Sequence, residues 1–211
     1  TFSTASLRRA ANSNSFRLLN DYEALALALP HLSASDLFQI GGAPPPARTV
    51  KIVIGPGTGL GMAALVPLPG NTGWMPLPCE PGHISLPTET QEEFDWRDKM
   101  RAQSDHTFTS EDAVTGGGLY LMYRVKFPNG QLKTPEEVIR AAVAQTDADA
   151  VATVRQFIIW LARVTGDAAM TLQARGGVYL AGGIVPSITG LLSGGEFRQI
   201  FEDKGKLTAQ M

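Results

Sequence analysis

Residues 51–61 read KIVIGPGTGLG, a β-branched apolar run followed by glycines at 55, 57, 59 and 61. The piece KIVI (51–54) predicts a strand, and MAALVPL (62–68) predicts a second one, so the short Gly-rich link predicts a hairpin. Two familiar phosphate motifs are excluded by counting. The dinucleotide fingerprint needs a third glycine at its sixth position, where this chain has Leu60 counted from Gly55 and Met62 counted from Gly57. The P-loop needs Gly-Lys-Ser/Thr at its end, where this chain has Leu60, Gly61 and Met62. Two uses remain open for the stretch. Its bare N–H groups can cradle an anion, with Thr58 adding the only hydroxyl. Alternatively the glycines only supply positive φ to a tight turn.

Upstream, FRLLNDYEALALALP (16–30) changes character midway. Residues 16–19 suit a short buried strand, and the run after Asp21 has high helix propensity up to Pro30. An acid at such a junction lies where ligands gather in α/β proteins. Asp21 can take a proton from a substrate hydroxyl and Asn20 can hydrogen-bond the same substrate. The competing use is that Asp21 only caps the helix beginning at Tyr22. GGAPPPAR (41–48) is a surface loop, because three consecutive prolines fit neither strand nor helix.

Downstream, residues 76–93 are rich in Pro and Gly and read as irregular, while FDWRDKMRAQ (94–103) reads as a helix. SEDAVTGGGLYLMYRVK (110–126) holds a three-glycine turn before apolar residues that suit a helix start or a strand. Glu80 and His83 place an acid and an imidazole in one glycine-containing loop, a pair able to match adjacent sugar hydroxyls. Metal binding is the competing use, but Cys79, His31 and His106 stand in unrelated contexts, so no residue is assigned as a metal ligand. Glu111 is a further candidate acceptor, or an exposed acid at a helix start. TPEE (134–137) predicts a capping box, with Thr134 as N-cap, Pro135 at the first helical position and Glu137 reaching back. Val138, Ile139, Ala142 and Val143 form that helix's apolar face. Asp149 is placed as the cap of a longer helix carrying Val151, Val154, Phe157, Ile158 and Leu161, which ends at Gly176 and Gly177. VYLA (178–181) then predicts a short buried strand ending at Gly182 and Gly183, where flat backbone lets a planar ring approach or simply turns the chain.

Composition limits the function classes. The 211 residues are 44% hydrophobic and 18% charged, an ordinary globular balance that leaves room for a sizeable core. A net charge of -2 offers no basic field for nucleic acid. The single cysteine, Cys79, allows no intrachain disulfide and points to a reducing compartment. No apolar run reaches the ~18 residues of a membrane span, and the opening TFSTASLRRAANSNSF has no apolar signal core. The expectation is a cytoplasmic α/β protein without nucleic-acid or membrane partners.

The order of these features is more telling than any one of them. Leu-Asn-Asp, an alanine-rich helix, GPGTGLG, Glu-x-Gly-His, Ser-Glu-x-x-x-x-Gly-x-Gly, AGGIVP and FEDKG follow one another over about residues 2–206. This series resembles the bacterial ATP-dependent glucokinases of the hexokinase and actin-like ATPase superfamily, outside its zinc-bearing repressor/kinase group. The resemblance implies an α/β fold with an actin-like ATPase (ribonuclease H-like) core, a mixed sheet flanked by helices. It further implies two lobes, residues 1–30 as the remnant of an incomplete small lobe and 31–211 as the large lobe holding the sugar and nucleotide sites. It implies transfer of the γ-phosphoryl of ATP, with Mg2+, to the glucose 6-hydroxyl. Asp21 becomes the catalytic base, and Asn20, Gly59, Glu80, His83 and Glu111 become sugar-binding residues. Gly55, Gly57 and Thr58 belong to the second phosphate motif, and Gly182 and Gly183 to the adenosine motif. A homodimer is consistent with the family.

Departures accompany the resemblance. Pro81 stands where members commonly carry a small residue, and Tyr22-Glu23 where Phe-Thr commonly follows the Asp. The family's opening Asp-x-Gly-Gly-Thr-Asn motif and its closing strand and helix do not occur in these residues. The expectation is therefore the core of a longer enzyme, with poor turnover by residues 1–211 alone. Competing readings are a kinase of another sugar or phosphoryl donor such as polyphosphate, and a non-catalytic sugar-binding relative.

Overall fold

The computed structural model describes residues 3–12, 18–46 and 48–211. Four strands form one sheet in the order β3-β2-β1-β4. They are β1 (Lys51–Pro56), β2 (Leu60–Pro67), β3 (Trp74–Cys79) and β4 (Val178–Leu180). The expected hairpin is present: β1 and β2 pair antiparallel from Lys51 opposite Leu65 to Pro56 opposite Leu60. β3 adds antiparallel to β2, and β4 adds parallel to β1, so the sheet is mixed. The helices are α1 (Thr4–Ala10), α2 (Asp21–Ala28), α3 (Gln91–Arg101), α4 (Ser110–Ala113), α5 (Gly116–Lys126), α6 (Pro135–Val143), α7 (Ala148–Leu172), α8 (Val185–Leu192) and α9 (Glu196–Glu202). Among the described residues no helix is long and apolar enough to cross a membrane.

Side chains alternate across a strand, and here both faces are covered. Ile52, Ile54, Leu60, Met62 and Ala64 face the main core, which includes Phe157, Trp160 and Leu161 of α7. Val53, Ala63 and Leu65 face the other way, onto Ala26 of α2 and Leu29. This two-sided burial explains why KIVI and MAALV read as unbroken apolar runs. It also docks α2 firmly on the sheet. Helix α3 is tied to α7 by Glu93, 3% exposed. One Glu93 oxygen accepts the Glu89 N–H at 2.6 Å and the other accepts from Arg163 at 2.8 Å.

Several expectations are corrected. Phe16 and Arg17 lie outside the described residues, while Leu18 and Leu19 are not in a strand and Leu18 is 64% exposed. Residues 76–93 are not simply irregular, because Pro76 and Pro78 sit within β3 opposite Leu65 and Ala63. An edge strand tolerates prolines where the missing N–H would point away from the sheet. The glycines of 116–118 form the first turn of α5 rather than a turn before it, with Thr115 Oγ1 accepting the Gly118 N–H at 3.0 Å. Thr134 does cap α6, but Glu137 reaches one residue further than expected, to the Lys133 N–H at 2.6 Å. Asp147, not Asp149, caps α7, and the helix stops at Gln173 in a left-handed conformation, φ 50°, before Gly176 is reached. β4 is half-buried rather than buried, since among the described residues it has a strand neighbour on one side only.

Candidate active site

The turn between β1 and β2 consists of Gly57, Thr58 and Gly59, closed by the Gly57 N–H donating to the Gly59 carbonyl at 2.8 Å. The positive-φ explanation for its glycines fails: the left-handed glycines are 42, 70, 73, 177, 182, 195 and 205. Close approach explains them instead. A Cβ on Gly55 would stand 2.0 Å from the Ala181 carbonyl oxygen, and one on Gly61 2.0 Å from the Tyr22 ring. A Cβ on Gly59 would stand 2.7 Å from Glu111 Oε2. Gly57 alone is open, with only the Gly59 oxygen at 3.9 Å. The hairpin is thus gripped from three sides, with Gly57 left open at its turn.

Asn20 and Asp21 separate the two roles left open for the acid. Asn20 is the N-cap of α2, its Oδ1 accepting the Tyr22 N–H at 2.8 Å, and Glu23 returns the capping box by accepting the Asn20 N–H at 3.0 Å. Asp21 is the first helical residue, and one of its oxygens, Oδ1, also accepts the Tyr22 N–H, at 2.9 Å. Its Oδ2 has no hydrogen-bond partner among the described residues. Tyr22 turns its hydroxyl onto the Gly55 carbonyl at 2.6 Å. Burial, and secondarily the Asp21 charge, push the Tyr22 phenol above its ordinary range, so it stays protonated and donating.

Glu80, His83 and Glu111 come from two short elements. Pro81–His83 is a 3-10 turn with the His83 N–H on the Glu80 carbonyl at 3.3 Å. Pro81 fits its first position, where no N–H is needed. Glu111 rides on α4, whose start is tied to the chain after His83 by the Ser110 N–H on the Ile84 carbonyl at 2.9 Å. Glu111 Oε2 accepts the Leu60 N–H at 2.9 Å. Thr109 caps α4 through Asp112, whose other oxygen meets His106 Nε2 at 2.8 Å. Gly182 and Gly183 follow β4. Gly182 has φ +89°, and a Cβ there would stand 2.3 Å from the Pro56 carbonyl oxygen, while Gly183 faces open space. The Gly116 N–H donates to the Gly57 carbonyl at 3.1 Å and sets the start of α5 against the hairpin.

A cavity of about 400 Å³ collects most of the candidates: Asn20, Asp21, Gly57, Thr58, Gly59, Glu80, Glu111 and Gly182 all line it. His83 is exposed and does not line it, and neither do Gly55 and Gly183. Tyr22, Leu25, Met62, Pro78 and Cys79 also line it and were not singled out from the sequence. Adjacency to Asp21 was the available signal for Tyr22; β3, unseen in the sequence, hid Pro78 and Cys79. A larger, more open groove of about 630 Å³ lies between α3 and α5, beside Lys99, Tyr120 and Arg124, and holds none of the candidates.

The family model named Glucokinase matches residues 1–211. The chain belongs to the glucokinase family. A glucokinase of Chromobacterium violaceum is 39% identical over 100% of this chain and 61% of its own length. A glucokinase of Marinobacter nauticus is 34% identical over 100% of this chain and 66% of its own length. The chain therefore spans a little under two thirds of these glucokinases. The crystal structure of a glucokinase from an Antarctic psychrotroph superposes with a TM-score of 0.88 at 27% identity, covering 99% of this chain and 65% of that one. The mixed sheet flanked by helices is accordingly the actin-like ATPase core of the glucokinases.

Proposed function

We propose that the protein phosphorylates glucose at its 6-hydroxyl with ATP, and that this chain carries the sugar site and the second phosphate motif. The observation that carries this reading is the division of labour at α2. Asn20 takes the capping role, and Asp21 beside it lines a cavity shared with the 57–59 turn. Asp21 accepts the proton of the attacking hydroxyl. Asn20, Gly59, Glu80 and Glu111 orient the sugar, with His83 reaching it from the exposed turn beside the cavity. A polar site of this kind rejects analogues lacking a hydroxyl because its own groups would be left unpaired.

The residues present suit a nucleotide. Gly57 offers open backbone with no Cβ and Thr58 an exposed hydroxyl on the phosphate side, and Gly183 offers open backbone where the adenosine would lie. ATP would supply the transferable phosphoryl group, and Mg2+ the neutralising charge. The ion would be carried largely by the phosphates and water, as Mg2+ prefers. Residues 1–30 read as part of a small lobe and 31–211 as the large lobe, in a cytoplasmic protein.

Calorimetric titration of the full-length protein with glucose and a panel of other hexoses, alongside coupled detection of ADP, tests the proposal. Glucose should bind best and release ADP. Preference for another sugar would reassign the substrate, and binding of no sugar would overturn the reading.

A further inference from the structure

We propose that Tyr22 is a positioning residue that fixes the phosphate hairpin relative to Asp21. The inference rests on the reading of Asp21 as the base and of the 57–59 turn as a phosphate cradle.

Gly55 and Gly61 face each other across β1 and β2 at the base of the turn. Tyr22 touches both. Its hydroxyl donates to the Gly55 carbonyl at 2.6 Å. Its ring fills the space of the absent Gly61 side chain, where a Cβ would lie 2.0 Å from Cε2 and 2.2 Å from Cδ2. Gly55 is closed on another side by Ala181, whose carbonyl oxygen leaves no room for a Cβ. The base of the hairpin is therefore pinned between the Tyr22 side chain and the end of β4.

The other end of Tyr22 is equally constrained. Its N–H is shared by Asn20 Oδ1 at 2.8 Å and Asp21 Oδ1 at 2.9 Å. One residue thus links the Asp21 carboxylate, through its backbone, to the strand that leads into the turn, through its side chain. Misplacement of reacting groups by a fraction of an ångström slows a transfer without weakening ground-state binding. A phenylalanine would fill the same space on Gly61, but it would lack the bond to Gly55. The hydroxyl is what this chain adds to the ring.

The test is Tyr22→Phe in the whole protein, read by steady-state kinetics, amide exchange and thermal unfolding. The loss of one hydrogen bond should lower kcat roughly 5-fold. The glucose KM should stay within about 2-fold, since the change falls on positioning rather than uniform binding. The amides of Thr58, Gly59 and Leu60 should exchange faster. Tyr22→Leu, which also empties the space on Gly61, should lower kcat further. An unchanged kcat in Tyr22→Phe, or a kcat loss matched by an equal loss of glucose affinity, would overturn the positioning role. An active wild type with a fully active Asp21→Ala variant would instead defeat the reading of Asp21, and both ideas together.

Discussion

The Glu111 carboxylate accepts the Leu60 N–H at 2.9 Å across 51 residues of sequence. Leu60 is 2% exposed, so this bond satisfies an amide that water does not reach. The same carboxylate lies close to Gly59 and Gly82, and it lines the cavity with Asp21. Glu111 therefore joins the cavity to the start of β2.

Two substitutions separate its roles. Glu111→Ala leaves the Leu60 amide unpaired and should destabilise the fold by about 1–3 kcal/mol in urea denaturation. Glu111→Gln keeps an acceptor for Leu60 and should lose less stability. It presents an amide N–H in place of the second oxygen, so glucose affinity should still fall. A Gln variant with full sugar affinity would leave Glu111 a role in the hairpin alone.

Asn20 and Asp21 should respond in opposite ways. Asn20→Ala removes the α2 cap and should cost about 1 kcal/mol of stability. Asp21→Ala should leave the melting temperature nearly unchanged while kcat drops on the order of 10² to 10⁴-fold. If Asp21→Ala destabilised the protein more than Asn20→Ala, the cap would have been assigned to the wrong residue.

Gly61→Ala should destabilise the protein by roughly 1–3 kcal/mol, the usual range for overpacking. The new methyl would collide with the Tyr22 ring. Adding Tyr22→Leu should recover part of the loss, because the two side chains compete for one space. Strict additivity in the double-mutant cycle would show that the strain lies elsewhere.

His106 and Asp112 should give the fold a pH window. His106 is raised by hydrogen bonds first to Asp112 and then to Asp105. Its contribution is complete below the unfolded value of about 6.5 and is lost as pH rises through the higher folded value. For Asp112, burial alone would raise the pKa, but the Thr109 N–H, His106 and the Thr109 hydroxyl together lower it. Its contribution is present above about 3.9 and is lost as pH falls through the lower folded value. The melting-temperature difference between wild type and His106→Ala should therefore be largest between about pH 4 and 6.5. A difference that is flat with pH would mean the pair does not support α4.

The sequence announced what periodicity and order encode. KIVI, MAALVPL and the apolar face of α7 were readable because both faces of β1 and β2 are buried and α7 repeats every three to four residues. The family order brought Asn20, Asp21, Thr58, Glu80 and Glu111 into one expected site, and the cavity gathers all five. What stayed hidden depends on partners distant in the chain. The glycines of 55–61 look like turn residues, but their reasons are Ala181, Tyr22 and Glu111. The choice of Asn20 over Asp21 as cap, or Asp147 over Asp149, turns on which backbone leaves the helix, and short polar side chains at neighbouring positions look alike in a sequence. β3 was masked by its prolines, which break the usual strand signal and are tolerated because, among the described residues, no strand pairs beyond them.

Those prolines have a consequence for how copies of the chain meet. Pro76 and Pro78 strip the outer rim of β3 of two N–H donors at alternate positions. An incoming strand would find few donors along that rim. That rim of β3 is thus guarded against strand addition, a common route to aggregates.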